Sequence, residues 1–219
     1  MKKGIAILIL IVLTATGVFA QGFSVSAGGG GLFDWNFNNG VQGKWGSNIE
    51  YEGYRNMSFG GFVFVDFTYA ELNLGFTYGL LTFVREQTGK SPAGKPMGTM
   101  LAPGASLLLK IPLNFGKMTL FPLLGAGYYA VIIAKDDDGN DISDSLTDTL
   151  KELSQICILG GAGFDMFLAG SLFMRVEALY QVRLSSKTIV DSADANTDPD
   201  AMPTIGRGPQ VKIGVGYRF

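Results

Sequence analysis

The chain has 219 residues, 17 basic and 19 acidic, for a net charge of −2, with one cysteine and no histidine. That balance excludes the basic face a nucleic-acid binder needs. The lone Cys157 excludes an intramolecular disulfide, and the lack of histidine excludes Ser-His and Cys-His catalysis together with histidine-containing metal sites.

Residues 1–20 read as a targeting segment. Lys2 and Lys3 form a charged start, Ile5 to Thr16 an apolar stretch, and Val18-Phe19-Ala20 offers small residues to a signal peptidase, so cleavage is expected after Ala20. Loss of the two lysines takes the net charge to −4. Cys157 lies far from this site, which argues against a lipoprotein, and reads as a small apolar strand residue.

After residue 20 no run of 18 apolar residues could cross a membrane as a helix. Apolar and polar residues alternate instead, with the period of two that marks a strand having one apolar face. Strand one is expected over about Gly22–Trp35, with Phe23, Val25, Ala27, Phe33 and Trp35 on one side and Ser24, Ser26 and Asp34 on the other. Asn36–Tyr54 reads as a long polar and aromatic loop. Strand two, Arg55–Tyr69, sets Phe59, Val63, Val65, Phe67 and Tyr69 against Ser58, Asp66 and Thr68, with Phe62 and Phe64 as apolar exceptions on the polar side. A tight connection near Ala70 leads into strand three, where Leu72, Leu74, Phe76, Tyr78 and Leu80 alternate with Glu71, Asn73, Gly75, Thr77 and Gly79.

Arg85–Gly98 is a second long loop. Strand four, Thr99–Ile111, opposes Leu101, Ala105, Leu107, Leu109 and Ile111 to Ser106 and Lys110, and Pro112–Lys117 is a short turn. Strand five, Met118–Ala134, is apolar on both faces and leaves its sides open. Lys135–Ser154 is a third long loop, followed by strand six, Gln155–Phe167, and a short turn at Leu168–Ser171. Strand seven is the clearest of the middle strands. Leu172, Met174, Val176, Ala178, Tyr180, Val182 and Leu184 face one way, and Arg175, Glu177, Gln181 and Arg183 the other, with Leu179 among them. Ser185–Thr204 is a fourth long loop, and strand eight starts near Ile205 and ends Val211, Ile213, Val215, Tyr217, Phe219 at every second place.

Eight strands joined alternately by long and short connections predict an all-β fold: an eight-stranded antiparallel up-and-down transmembrane β-barrel over residues 21–219. Hydrocarbon offers no hydrogen bonds to a strand edge, so the ring must close. The charged face cannot enter a dry core unpaired. The apolar set must therefore face lipid, and the charges are expected to pair in the lumen: Asp66, Glu71, Asp165 and Glu177 with Lys110, Arg175, Arg183 and Lys212. A ring of eight is just wide enough to be filled by its own side chains or to hold one small ligand. The inward glycines 28, 30, 161, 163, 214 and 216, with the inward Phe62, Phe64 and Leu179, leave room for a small hydrophobic cavity.

Other motifs are weaker. Thr88-Gly89-Lys90-Ser91 lacks the earlier glycine of a phosphate loop, so that match fails; Asp136–Asp141 has its glycine out of register for an EF-hand, so a solvated turn is the usual reading and a weak divalent-cation site on the surface the minority one. Ile142, Leu146, Leu150 and Leu153 have helical spacing, which suggests a short amphipathic helix in the third loop or a loop with scattered leucines. No cofactor and no metal are expected, and inward carboxylates belong more often to ion pairs than to catalysis.

Three stretches together resemble the small eight-stranded outer-membrane proteins, the group that includes OmpA, OmpX and OmpW. They are the ending Gly214–Phe219, the run Phe121–Tyr128 (F-P-L-L-G-A-G-Y), and Arg175–Tyr180 (R-V-E-A-L-Y). The size is nearest the OmpW-like branch, and the peptidoglycan-binding half of OmpA-type proteins has no counterpart. The resemblance implies residence in the outer membrane of a diderm bacterium, among its lipids. It also implies that Val211, Ile213, Val215, Tyr217 and Phe219 form the signal read by the barrel-assembly machinery. Likeness to the OmpW-like branch implies binding or passive transport of a small hydrophobic molecule. The other function weighed is that of a surface adhesin contacting a host or neighbouring molecule through Asn36–Tyr54 and Ser185–Thr204, with Trp45, Tyr51 and Tyr54 as anchors.

Overall fold

A computed structural model of the chain describes residues 24–38, 43–45, 49–51, 54–83, 98–136, 139, 154–185 and 205–219. The targeting segment, the phosphate-loop-like stretch and the proposed loop helix lie outside these residues, as does most of Asp136–Asp141. Eight long strands carry the described fold: β1 (Val25–Asn38), β4 (Tyr54–Phe67), β5 (Ala70–Phe83), β6 (Gly98–Lys110), β8 (Met118–Tyr129), β10 (Gln155–Ala169), β11 (Leu172–Ser185) and β12 (Ile205–Arg218). Four short strands accompany them: a hairpin of β2 (Gly43–Trp45) with β3 (Ile49–Tyr51), then β7 (Leu113–Phe115) against β8 and β9 (Ile133–Asp136) against β6.

Each long strand pairs antiparallel with its sequence neighbours, and β12 pairs with β1, so the sheet closes on itself. The hydrogen-bonded partners define a stagger. From Gly28 the path runs through Phe64, Asn73, Ser106, Gly127, Cys157, Arg183 and Gly206 and returns to β1 at Asn38, well along the strand from its start. Strands in such a barrel are tilted, and residues that meet across the lumen are set by that tilt.

Alternation places the apolar set outside. Val63, Leu74, Phe76, Tyr78, Leu109, Leu124, Ile158, Tyr180, Ile213 and Val215 are all half or more exposed. An apolar belt running round the whole barrel is far larger than the patches soluble monomers show, and it has the form of a surface that meets hydrocarbon. Polar and charged residues of the same strands are buried inside.

The structure refines the sequence reading at several points. β1 runs on to Asn38, so Asn36 is a buried lumen residue rather than the first residue of a loop. β4 ends at Phe67, and the turn is made by Thr68 and Tyr69, one step before Ala70. Thr68 takes a positive φ of 36°, and its hydroxyl donates to Ser24 O (3.0 Å) while accepting from Ser24 N (2.8 Å), which ties the start of β1 to the turn. The expected fifth strand is broken. β8 stops at Tyr129, the register against β6 slips by one residue, and β9 resumes at Ile133. The slip lies beside Pro103, which has no N–H to give the ladder, although its carbonyl still accepts from Ala130 N at 2.9 Å. Finally, the sides of β8 are settled: Thr119, Phe121, Leu123 and Tyr129 are buried inside, while Leu120, Leu124 and Tyr128 face out.

Candidate functional site

The lumen contains three chemically distinct zones. Toward the short turns lies an ionic cluster centred on Arg175 of β11. Its guanidinium grips Asp165 with two bonds, Nε to Oδ1 and Nη2 to Oδ2, each 2.7 Å. Nη2 also donates to Asp66 Oδ2 (2.6 Å), and Nη1 donates to Glu71 Oε2. Lys110 donates to the same Asp66 carboxylate, and Asn73 Nδ2 donates to Glu71 Oε1 at 2.7 Å. A planar, five-donor group suits this multidentate role better than an ammonium would. Three phenyl rings enclose the guanidinium carbon, Phe64 at 4.3 Å, Phe121 at 5.1 Å and Phe173 at 5.2 Å. Arg175 is fully buried, so this cluster is a dry, packed partition across the barrel.

Glu177 and Lys212, on the neighbouring strands β11 and β12, form an ion pair at 3.2 Å beside this cluster, with Arg175 Nη1 4.0 Å from Glu177. Of the eight charged residues singled out in the sequence, six thus gather around a seventh, Arg175. Arg183 does not join them. It stands nearer the long loops and pairs there with Asp34, a residue the sequence reading placed inside but left out of the network. Gln181 donates to Asp34 as well, Arg183 donates to Gln181 Oε1 (2.9 Å), and the guanidinium lies 4.9 Å from the Tyr129 ring. Gln210 Nε2 donates to Tyr129 Oη at 3.0 Å. Sequence reasoning missed Tyr129 and Gln210. The signal for Gln210 was available, because it shares the parity of Lys212 on β12. Tyr129 had none, since β8 is apolar on both faces.

The third zone is apolar and falls on two walls. Phe62 and Phe64 pack with Leu32 and Phe173, the two rings of β4 stacking at 6.0 Å. Leu179 packs elsewhere, with Leu108, Phe121, Leu123, Tyr129, Cys157 and Leu159. The three residues read as a single cavity lining therefore belong to separate clusters. Of the glycines expected to leave space, Gly28, Gly163 and Gly216 seat rings instead, and Gly30 and Gly161 lie against the backbone of the neighbouring strand. A Cβ on Gly28 would stand 2.6 Å from Phe64, and one on Gly216 would stand 2.4 Å from Phe173. Cys157 is buried in the apolar wall, as a small hydrophobe would be.

On β12, Ile213, Val215 and Tyr217 face outward, Val211 is half-buried, and Phe219 packs edge-on against Tyr217 at 5.4 Å.

No protein-family model matches the chain, and no curated protein does. Among solved structures it is similar to the outer membrane protein OprG from Pseudomonas aeruginosa, at 13% identity over 90% of this chain and 95% of that one, with a TM-score of 0.44. It is also similar to Ail, the attachment invasion locus protein of Yersinia pestis, in complex with the heparin analogue sucrose octasulfate. There the identity is 14% over 90% of this chain and 97% of that one, with a TM-score of 0.37. These likenesses carry no function across. The barrel's own outward belt and charged, buried interior make it a membrane-spanning barrel.

Proposed function

We propose that this chain is a non-enzymatic barrel of the outer membrane of a diderm bacterium, secreted with cleavage near Ala20. Its proposed role is to bind a small hydrophobic molecule and let it pass without energy input. The reading is supported most by the apolar wall of Leu108, Phe121, Leu123, Leu159 and Leu179, which adjoins the register break between β6 and β8–β9. A weakened ladder beside an apolar wall gives an apolar guest a route between lumen and lipid. A water-filled pore is disfavoured, because Arg175, Glu177, Leu108, Gln181 and Gln210 all have 0% exposure and an aqueous channel would leave lumen side chains wet.

Two measurements test this. Purified barrel in micelles should bind the apolar fluorophore 1-aminoanthracene saturably, and Leu179→Gln should weaken that binding severalfold. Equal binding by the variant would sink the hydrophobic-ligand reading. In planar bilayers the protein should give no steady conductance of porin size, and a stable open channel would overturn the filled-lumen reading.

The adhesin reading retains one supporting observation: the segment after β1 holds a paired hairpin, β2–β3, that carries Trp45 and Tyr51. A paired hairpin whose sequence includes aromatic residues suits a contact surface. Deleting residues 40–53 should then abolish attachment to host cells, and unchanged attachment would discard this role for the hairpin.

A further inference from the structure

We infer that the upper lumen where β12, β1, β4 and β5 adjoin is a binding site for a small uncharged guest rich in hydroxyl groups, a polyol in chemical class. The basis is a group of acceptors that lack donors. Among the described residues, the side-chain amide oxygens of Asn36, Asn56 and Gln210, with the hydroxyl of Ser58, meet no hydrogen-bond partner. Each of these residues is at most 5% exposed. The registers bring them together. Asn36 faces Asn56 across β1 and β4, and Asp34 faces Ser58 on one side and Gln210 on the other. Buried acceptors are costly when unmet, and most of the other buried atoms without such a bond belong to the ion-paired groups around Arg175.

The amides are also held in place. Gln210 is anchored through its nitrogen to Tyr129, and Asn36 Nδ2 points to Gln155 Oε1 at 3.5 Å, so in both cases the oxygen is the end left over. Glycines let two of these side chains lie flat along the wall. A Cβ on Gly206 would come within 2.8 Å of Asn36 Oδ1, and one on Gly79 within 2.5 Å of Asn56 Oδ1. This wall therefore presents short polar groups, while the long Gln181 and Arg183 come from β11, the strand next to β12.

Charge selects the guest. Asp34 is already matched by Arg183 and Gln181, so the neighbourhood is balanced. An anion would crowd the Asp34 carboxylate, which faces both Ser58 and Gln210, and a cation would stand beside the Arg183 guanidinium. A neutral molecule with several O–H groups can donate to the three amide oxygens and accept from Ser58, with no charge to desolvate. This site is separate from the apolar wall, so its fate does not depend on the hydrophobic-ligand reading.

The test uses the full barrel in micelles. Side-chain amide NMR signals of Asn36, Asn56 and Gln210 are followed while ribitol is added, and in parallel the protonated amine ethanolammonium. Saturable shifts with ribitol at these three residues, absent with ethanolammonium, are expected. Asn56→Leu should weaken the response about tenfold. Gly206→Ala, whose new methyl meets only the flexible end of Asn36, should displace that amide and weaken binding too while leaving the heat-modifiable gel mobility of the folded barrel unchanged. No shift with ribitol, as buried water alone would give, shifts that never saturate, a response to the amine instead of the polyol, or full binding by both folded variants would each overturn the assignment.

Discussion

The two ends of the lumen solve the same problem differently. Near the short turns, three cations and four carboxylates interlock, with Arg175 bonded to three carboxylates and boxed by three phenyl rings. Near the long loops, one ion pair, Asp34 with Arg183, sits among amides whose oxygens are not all used. The first arrangement is one expected of a structural plug, because removing any member strands the others in a dry interior. The unmet atoms near the long loops belong to neutral amides and a hydroxyl, whereas those beside Arg175 belong mostly to groups already held in ion pairs. The lesson is that burial alone does not separate structure from function here; both zones are buried and both hold unmet atoms, and the chemistry of those atoms tells them apart.

The comparison can be broken in graded steps. Arg175→Met should have the largest effect, because Asp66, Glu71 and Asp165 lose their shared donor together. A loss of about 3–5 kcal/mol in urea unfolding is expected. Most of it should return when Glu71→Gln and Asp165→Asn are added, because Asp66 keeps its bond from Lys110. If the single change is silent, the cluster is not the plug. Lys212→Met removes one partner of a single pair, and Arg175 remains 4.0 Å from Glu177. A cost of about 2 kcal/mol should appear in the same unfolding experiment. At the upper end, Arg183→Gln leaves Asp34 its bond from Gln181, so about 1–2 kcal/mol is expected. Smallest of all, Asn56→Leu deletes an acceptor that has no partner among the described residues and should change stability by less than about 0.5 kcal/mol. A large loss there would mean that the amide is structural and would erase the contrast between the ends.

Much of this was legible in the chain because lipid outside and charge inside enforce a strict period of two. On β11, Leu172 through Leu184 and Arg175 through Arg183 could be sorted to their faces one by one. β5 and β12 behave the same way. The rule failed where both faces are apolar. β8 gave no parity signal, so Tyr129 and the inward Phe121 and Leu123 were invisible as lumen residues. Leu32 was hidden for the same reason among the glycines of β1. Asn36 was assigned to a loop because Asn reads as a turn former, yet the ladder with Asn56 carries the strand past it.

From the sequence alone came the architecture, the outward belt and the inward placement of the charged residues, because each depends only on local alternation and on the solvent each face must meet. Which inward residues touch was decided by the tertiary structure. Arg175 reaches Asp66 and Glu71 from the far wall, and Arg183 meets Asp34 rather than the other charges, because the tilt and stagger of the closed ring set their heights. Two phenylalanines and a leucine on the same kind of face end in different clusters for the same reason. Closure is a property of all eight strands at once, and no single strand encodes it.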